Sequence, residues 1–531
     1  MSSILSTIAA LLPVISAQGS YGGYGSGTNS SSNGTYSLAW ESLPGSIFLP
    51  SDDWANANWP PQNVGVPLVP QAPDAELKAL LDGVSIPRKH SGSSESTAVV
   101  DKCSGIENII HTLTNFGTRH TLSIQNSSTR GIGAARDWIY REMQGFAEES
   151  DGAMDVYFNS YIQPVASRIL FPVNITNVVA QINGTEDSTR AYVVTGHYDS
   201  RRIDVEDYTG DAPGSDDDTS GVAVVMELAR LCATRKPKTT MIFAAVAAEE
   251  QGLYGSDHLA KTLKAQGYNV EGNFNNDIVG TGSNPPFSPI NNYTLRLYGA
   301  SIYYPNVSTA AVGQEVAIIG GWNDSPAQNL GRFVTEVTAG AVGWVGMQVA
   351  MIYRADRYLR GGDHESFLLQ GFPAVRMTEA VEDFAHEHQD VRVQDGIQYG
   401  DLPEFVDFEY TSRVAKVNLA SMWSAANAPA LPVNVTISEV IGFPGAAEDT
   451  PIEELSNDSR FAWATGNDPL AASYEVVWRA SGALQWTHSF NVGMTGNVTL
   501  PLNKDNVQVG VRAVGADGKK SPAVFPFPIN Q

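Results

Sequence analysis

Six residues have side chains of the types that bind metals or carry protons, and they stand at or just past the ends of segments that read as strands. His197 follows Val194-Thr195-Gly196, and Asp217 lies in Gly214-Ser215-Asp216-Asp217-Asp218-Thr219-Ser220-Gly221. Glu249 and Glu250 close TTMIFAAVAAEE, Asp277 stands in Asn275-Asn276-Asp277-Ile278, and His386 begins His386-Glu387-His388-Gln389-Asp390. Mixed imidazole and carboxylate ligands suit Zn2+ or a similar transition metal, and two histidines with three acids suffice for two ions sharing a bridging carboxylate. The chemistry open to such a set is attack by a metal-activated water. Singly, each residue has a plainer reading: a hydrogen-bonded core histidine, a solvated or calcium-binding aspartate loop, a glutamate pair at an exposed helix start. Their shared position at strand ends is what periodicity alone does not produce.

The elements that must position them alternate from Asp101 onward. RAYVVTGHYDS reads as a buried strand over Ala191 to Thr195, and TTMIFAAVAAEE, GNFNNDIVG and PAVRMTEA as three more. Between them, SGVAVVMELARLCATR, with Thr219 or Ser220 as N-cap, and GLYGSDHLAKTLKAQG read as helices. The pattern predicts an α/β fold: a doubly wound mixed β-sheet with helices on both faces and its ligand site at the carboxyl ends of the strands. Near Ala428 the pattern changes. FAWATG, SYEVVWRA, WTHSFNV, GNVTLPL and NVQVGVRAVGADG read as strands of a smaller all-β sandwich. At YEVVWR and VQVGVRAVGADGKKSP this tail resembles a fibronectin type III domain, departing from it at Val507, where that family carries a tyrosine.

The resulting organisation is a secretory signal over 1–17, a Gly/Ser-rich spacer over 18–36, an irregular N-terminal arm over 37–100, an α/β domain over 101–428 and the sandwich over 430–531. The signal reading rests on the apolar run from Ile4 to Ile15 and the small residues at Ser16 and Ala17, although no Lys or Arg precedes the run. Asn-X-Ser/Thr sequons at Asn29, Asn33, Asn126, Asn174, Asn183, Asn292, Asn306, Asn323, Asn434, Asn457 and Asn497 suit a secreted glycoprotein. The chain has 33 basic against 57 acidic residues, a formal charge of -24, which repels nucleic acid and anionic lipid. Cys103 and Cys232 can form one bridge or remain buried thiols. Val337 to Tyr353 is apolar but too short and glycine-rich for a membrane span, leaving none after signal removal.

Taken in order, GHYDS (196–200), GSDDDTSG (214–221), EEQGLYGS (249–256), NNDIVG (275–280), GGDHESFLLQGFPAV (361–375) and HEHQD (386–390) resemble the M28 family of co-catalytic zinc peptidases, over roughly Asn177 to Asp390. The resemblance implies His197 and Asp277 on one Zn2+, Glu250 and His386 on a second, Asp217 bridging both, and Glu249 as general base. His386 is preferred to His388 because the family pattern expects an acid four residues on, here Asp390; His388 is the alternative, and a slip by one within Asp216-Asp217-Asp218 stays open. At a strand end successive side chains diverge, so Glu250 can face a metal while Glu249 faces the water. Asp199 is expected to orient the imidazole of His197. Asp363 and His364 are expected to shape the pocket, and Tyr353 or Tyr358 to stabilise an oxyanion. The implied activity is a secreted zinc metallopeptidase acting on peptide or protein substrates, an aminopeptidase above all. Carboxypeptidase or endopeptidase action at the same centre, a one-zinc glutaminyl cyclase and a non-enzymatic binding protein are the alternatives.

Overall fold

The strands β1 (Met154–Gln163), β2 (Val173–Ile182), β3 (Asp187–His197), β4 (Thr239–Val246), β5 (Asn269–Asn276), β6 (Thr294–Gly299), β7 (Gln348–Ile352) and β8 (Ala374–Glu379) form one mixed sheet in the order β1-β2-β4-β3-β5-β8-β6-β7. They are seen in a computed structural model that describes residues 64–85, 105–282, 292–301, 320–438, 458–466 and 468–528. The four central strands β4, β3, β5 and β8 run parallel, and β2 and β6 flank them antiparallel. Every residue of β4 and of β8 is buried, which is why these strands read as near-continuous apolar runs rather than alternating ones.

Alternation still sorts the side chains between two cores. Tyr192, Val194, Met241, Phe243 and Ala245 face the helices α2 (Ile106–Thr114), α3 (Gly131–Glu149), α4 (Thr219–Cys232) and α8 (Phe408–Ala426). Val193, Ile242, Ala244 and Val246 face Leu259 and Leu263 of α5 (Tyr254–Ala265) and Phe367 of α7 (His364–Leu369). The doubly wound mixed sheet is therefore as expected, with β3 and β5 longer than their apolar stretches. Helix α4 is capped one residue earlier than its sequence suggests: Asp218 is the N-cap, accepting from Gly221 N at 3.0 Å. The apolar stretch 337–353 is broken into the end of α6 (Pro326–Gly340), a short helical turn and β7, and no helix among the described residues is long and apolar enough to cross a membrane.

The sandwich contains β9 (Val433–Ser438), β10 (Ser459–Ala464), β11 (Ala471–Ala480), β12 (His488–Gly493), β13 (Asn497–Leu500), β14 (Val507–Gly515) and the short β15 (Phe527–Pro528). One sheet orders β12-β11-β14 and the other β13-β10-β9-β15, around Phe461, Trp463, Val476, Trp478, Val509 and Val511. Part of the arm is regular after all. Val66–Pro67 pairs with the free edge of β12, Trp478 Nε1 donates to Val64 O at 3.0 Å, and α1 (Ala75–Asp82) places Leu77, Leu80 and Leu81 in the α/β core.

Charged groups join sandwich to sheet. Asp324, fully buried, accepts from Arg332 Nη1 at 3.0 Å and from Arg479 Nη2 at 3.0 and 3.1 Å, and both guanidiniums lie against the Trp486 ring. Arg512 pairs with Glu336 at 2.8 Å and Glu475 at 2.9 Å. Buried pairs of this kind are costly to break singly, because the surviving charge is left unpaired.

The signal, the spacer, Cys103 and the sequons Asn29, Asn33, Asn306 and Asn457 lie outside the described residues. Asn126, Asn174, Asn183, Asn323, Asn434 and Asn497 are exposed. Asn292 is not: it is half-buried, with Nδ2 donating to Asp407 Oδ2 at 2.5 Å. Cys232 is buried, and burial pushes its thiol up to about 12.

Candidate metal centre

The parallel strands deliver their carboxyl ends to one edge of the sheet, where a close backbone contact draws the loops together. A Cβ on Gly196 would stand 2.5 Å from the carbonyl carbon of Gly221, and one on Gly221 2.5 Å from Asn276 O, so β3, α4 and β5 meet at spacings only glycine permits. Asp218 fastens the junction, accepting from His197 N at 2.9 Å, Gly221 N and Ile278 N. The residues next to the site adopt left-handed conformations: Ala248 before Glu249, Ile278 after Asp277, and His388 itself.

His197, Asp217 and Asp277 come together at the centre of this edge. His197 Nδ1 lies 3.2 Å from Asp199 O, an arrangement in which Nδ1–H donates and Nε2 faces Asp217 Oδ1 at 3.1 Å and Asp277 Oδ1 at 3.8 Å. Asp199 meets the ring through its backbone carbonyl, with its carboxylate Oδ1 3.6 Å from Nδ1. That carboxylate also accepts from Glu249 N and Glu250 N, both at 3.2 Å, and so fixes the glutamate pair.

The second imidazole is His388, and this corrects the expectation for His386. His388 Nε2 stands 2.7 Å from Asp217 Oδ2 and 3.1 Å from Glu250 Oε1. His386 turns away, stacking on Phe405 with ring centroids 3.6 Å apart and bonding Asp383 Oδ2 at 2.9 Å through Nδ1. Two residues apart in a tight turn, the histidines point to opposite sides, and the aromatic stack selects which one faces inward. Asp217 thus turns one oxygen to each imidazole, at 3.1 and 2.7 Å. The Asp217–Asp218 peptide is cis.

The electrostatics of this cluster are those of acids in need of cations. Burial works to raise Asp217, but His388 and His197 hold it well below the usual carboxylate range. Burial would lower His197; the charge of Asp218 and bonds to Asp199, Asp217 and Asp277 hold it well above normal instead. Asp277 is likewise lowered against burial, by Arg376, whose Nη1 and Nη2 lie 2.7 and 2.8 Å from its two oxygens. Burial pushes Glu249 up, outweighing His197, and Asp277 and Glu250 add to the rise. Glu250 Oε1 is buried without a hydrogen bond, while Oε2 accepts from Arg201 Nε at 2.8 Å.

Three further residues hold the site. Asp401, buried, accepts from Asp216 N and Asp217 N, each at 2.8 Å. Arg376 clamps Asp277, and Arg201 links Glu250 to His388, its Nη2 lying 2.5 Å from Nδ1. Asp363 is fully buried with both carboxylate oxygens unbonded, and His364 Nε2 meets Ala355 O at 2.8 Å; neither joins the ligand cluster. The tyrosine expectation fails. Tyr353 OH bonds Leu484 O of the sandwich at 2.5 Å, and Tyr358 is 81% exposed.

The model of peptidase family M28 matches residues 177–321, which carry four of the five candidate ligands. A protein of Pyrenophora tritici-repentis (strain Pt-1C-BFP) described as a probable zinc metalloprotease is 53% identical over 478 residues, 90% of this chain and 92% of that protein. The chain belongs to peptidase family M28. A probable zinc metalloprotease of Pyricularia oryzae is 51% identical over 485 residues, covering 89% of each chain. Among solved structures, the Legionella pneumophila LapA aminopeptidase aligns over 68% of this M28 chain and 77% of its own, with 17% identity and a TM-score of 0.45. The donor set here fits the zinc of such relatives: two imidazole nitrogens, carboxylates on either side, and a Glu250 oxygen that is buried without a hydrogen bond and 3.1 Å from His388 Nε2.

Proposed function

We propose that this M28 peptidase is a secreted aminopeptidase that holds two Zn2+ ions, with His197, Asp277 and Asp217 at one site and Asp217, Glu250 and His388 at the other. The observation that carries this reading is Asp217, whose two oxygens face two different imidazoles at 3.1 and 2.7 Å. Asp217 would help hold both ions, with His197 and Asp277 at one and Glu250 and His388 at the other, and the ions would supply an activated water.

When bound, zinc lowers the pKa of its water and polarises the scissile carbonyl. Glu249, its carboxyl pushed up by burial, would take the proton of the attacking water and return it to the leaving amine. Asp199, by gripping the Glu249 and Glu250 amides, keeps the base and the ligand pointing apart. Arg376 and Asp401 hold Asp277 and Asp217 in place.

Export is supported by the apolar leader and by six exposed sequon asparagines. The test is hydrolysis of Leu-p-nitroanilide by the purified zinc-loaded protein, compared with N-acetyl-Leu-p-nitroanilide. Release that depends on the free amine supports the aminopeptidase; equal cleavage of both turns the reading to an endopeptidase with the same centre.

A further inference from the structure

Glu387 is a carboxylate at the centre for which the proposed reaction has so far no use. It is 7% exposed, and an oxygen of it, one of Asp217 and a nitrogen of His388 all lie within 4.8 Å of one another. Arg360 Nη2 donates to Oε1, which sits 3.7 Å from His388 Nδ1. Oε2 is buried and has no hydrogen-bond partner among the described residues. An acceptor left bare in this way costs free energy, so a donor is wanted there.

Two donors are conceivable, a metal ion and a cationic group of the substrate. In the proposed second site Asp217, Glu250 and His388 would hold the ion, and a fourth protein ligand would close the position a catalytic zinc keeps open. That count turns Glu387 towards the substrate. An enzyme that cuts the first peptide bond must read the α-ammonium, whose nitrogen is only two bonds from the carbonyl carbon under attack. Its reader must therefore stand close to the residues that would hold the ions, as Glu387 does, within 4.8 Å of an oxygen of Asp217 and a nitrogen of His388. The neighbouring acids are committed: Glu382 accepts from Arg296, Arg357 and Arg360, Asp383 holds His386, and Asp363 is fully enclosed.

We propose that Glu387 Oε2 accepts a charge-assisted hydrogen bond from the α-ammonium of the peptide's first residue, seating the N-terminus beside the second ion site. Arg360, on Oε1, fixes the carboxylate and leaves Oε2 for the substrate. This specificity role rests on the aminopeptidase reading.

The test compares Leu-p-nitroanilide with its des-amino analogue, 4-methylpentanoyl-p-nitroanilide, on wild type, Glu387→Gln and Glu387→Asp, with leucinamide binding followed by calorimetry and zinc content measured on each. In Glu387→Gln the kcat/KM preference for the amine-bearing substrate should fall by about 10- to 100-fold, mainly through KM. Leucinamide should bind more weakly by a similar factor, zinc should stay at the wild-type content, and Glu387→Asp should recover part of the preference. An unchanged preference in Glu387→Gln overturns the anchor while leaving the aminopeptidase standing, and loss of one zinc overturns it in favour of a ligand role. A wild type indifferent to the amine sinks both readings together. Should the glutamine variant not fold, the aspartate variant carries the test: its shorter reach should raise KM for the amine substrate alone, and an unaltered KM refutes the role.

Discussion

Replacing Asp401 by alanine should weaken the metal centre from behind, without replacing any residue proposed to bind metal or substrate. Its carboxylate is the acceptor for two consecutive amides of the ligand loop, Asp216 N and Asp217 N, at 2.8 Å each. The Asp217 amide is buried and that of Asp216 partly so, and an unpaired buried donor costs about 1–3 kcal/mol. The loss should therefore be about 2–4 kcal/mol in the metal-free protein, lowering its thermal midpoint by up to about 10 °C. Zinc affinity should fall by about 10- to 100-fold, the range seen when a partner that orients a ligand is removed. Asparagine at 401 keeps one acceptor but turns an amide N–H2 towards a backbone N–H, so it should fall between wild type and alanine. Thermal scans in chelator and zinc competition titrations at 25 °C measure the two effects. A wild-type midpoint together with wild-type zinc affinity would refute the argument that Asp401 holds Asp217 in register.

Four other outcomes follow from the geometry. Glu249→Gln should lower kcat by about 10²- to 10⁴-fold with zinc content unchanged; wild-type turnover would remove Glu249 as base. His388→Ala should lose zinc, whereas His386→Ala should keep it, as metal analysis after dialysis will report; the reverse pattern would restore His386. Arg479→Ala leaves Asp324 with one buried partner fewer and should destabilise the protein by about 3–5 kcal/mol in denaturant titrations, and a change under 1 kcal/mol would mean the sandwich is only loosely attached. Burial, then the charge of Asp356, pushes Glu365 from 4.5 up to about 7. The native state thus keeps a proton that the unfolded chain releases, and the stability this gives below about pH 4.5 is lost as pH rises through about 7. Glu365→Gln should flatten that decline in the metal-free protein, and parallel curves for the two proteins would contradict it.

Much of this site is legible because a parallel sheet converts sequence position into spatial position. Strand ends whose residues lie 27 to 80 positions apart along the chain meet at one edge, so His197, Glu249, Glu250 and Asp277 can be grouped from the strands before them. The choice between His386 and His388 was not legible in the same way. Both lie in one turn, and the decision is made by Phe405, a residue whose stacking no local pattern announces. Arg376 does leave a trace, a charge inside the buried strand AVRMTE that requires an acidic partner. Asp401 and Arg201 left none: an aspartate after a turn and an arginine after a motif look like surface residues until the loops they grip are placed against them. The tie between Asp324 and Arg479 is equally silent, since an arginine at the end of SYEVVWRA reads as a solvent-facing strand residue.

Diffraction from zinc-loaded crystals at the zinc edge tests most directly whether Asp217 stands between two ions. Two anomalous peaks are expected on either side of the Asp217 carboxylate, one about 2.0–2.1 Å from His197 Nε2 and the other at the same distance from His388 Nε2. A single peak, or a second one on His386, would contradict it.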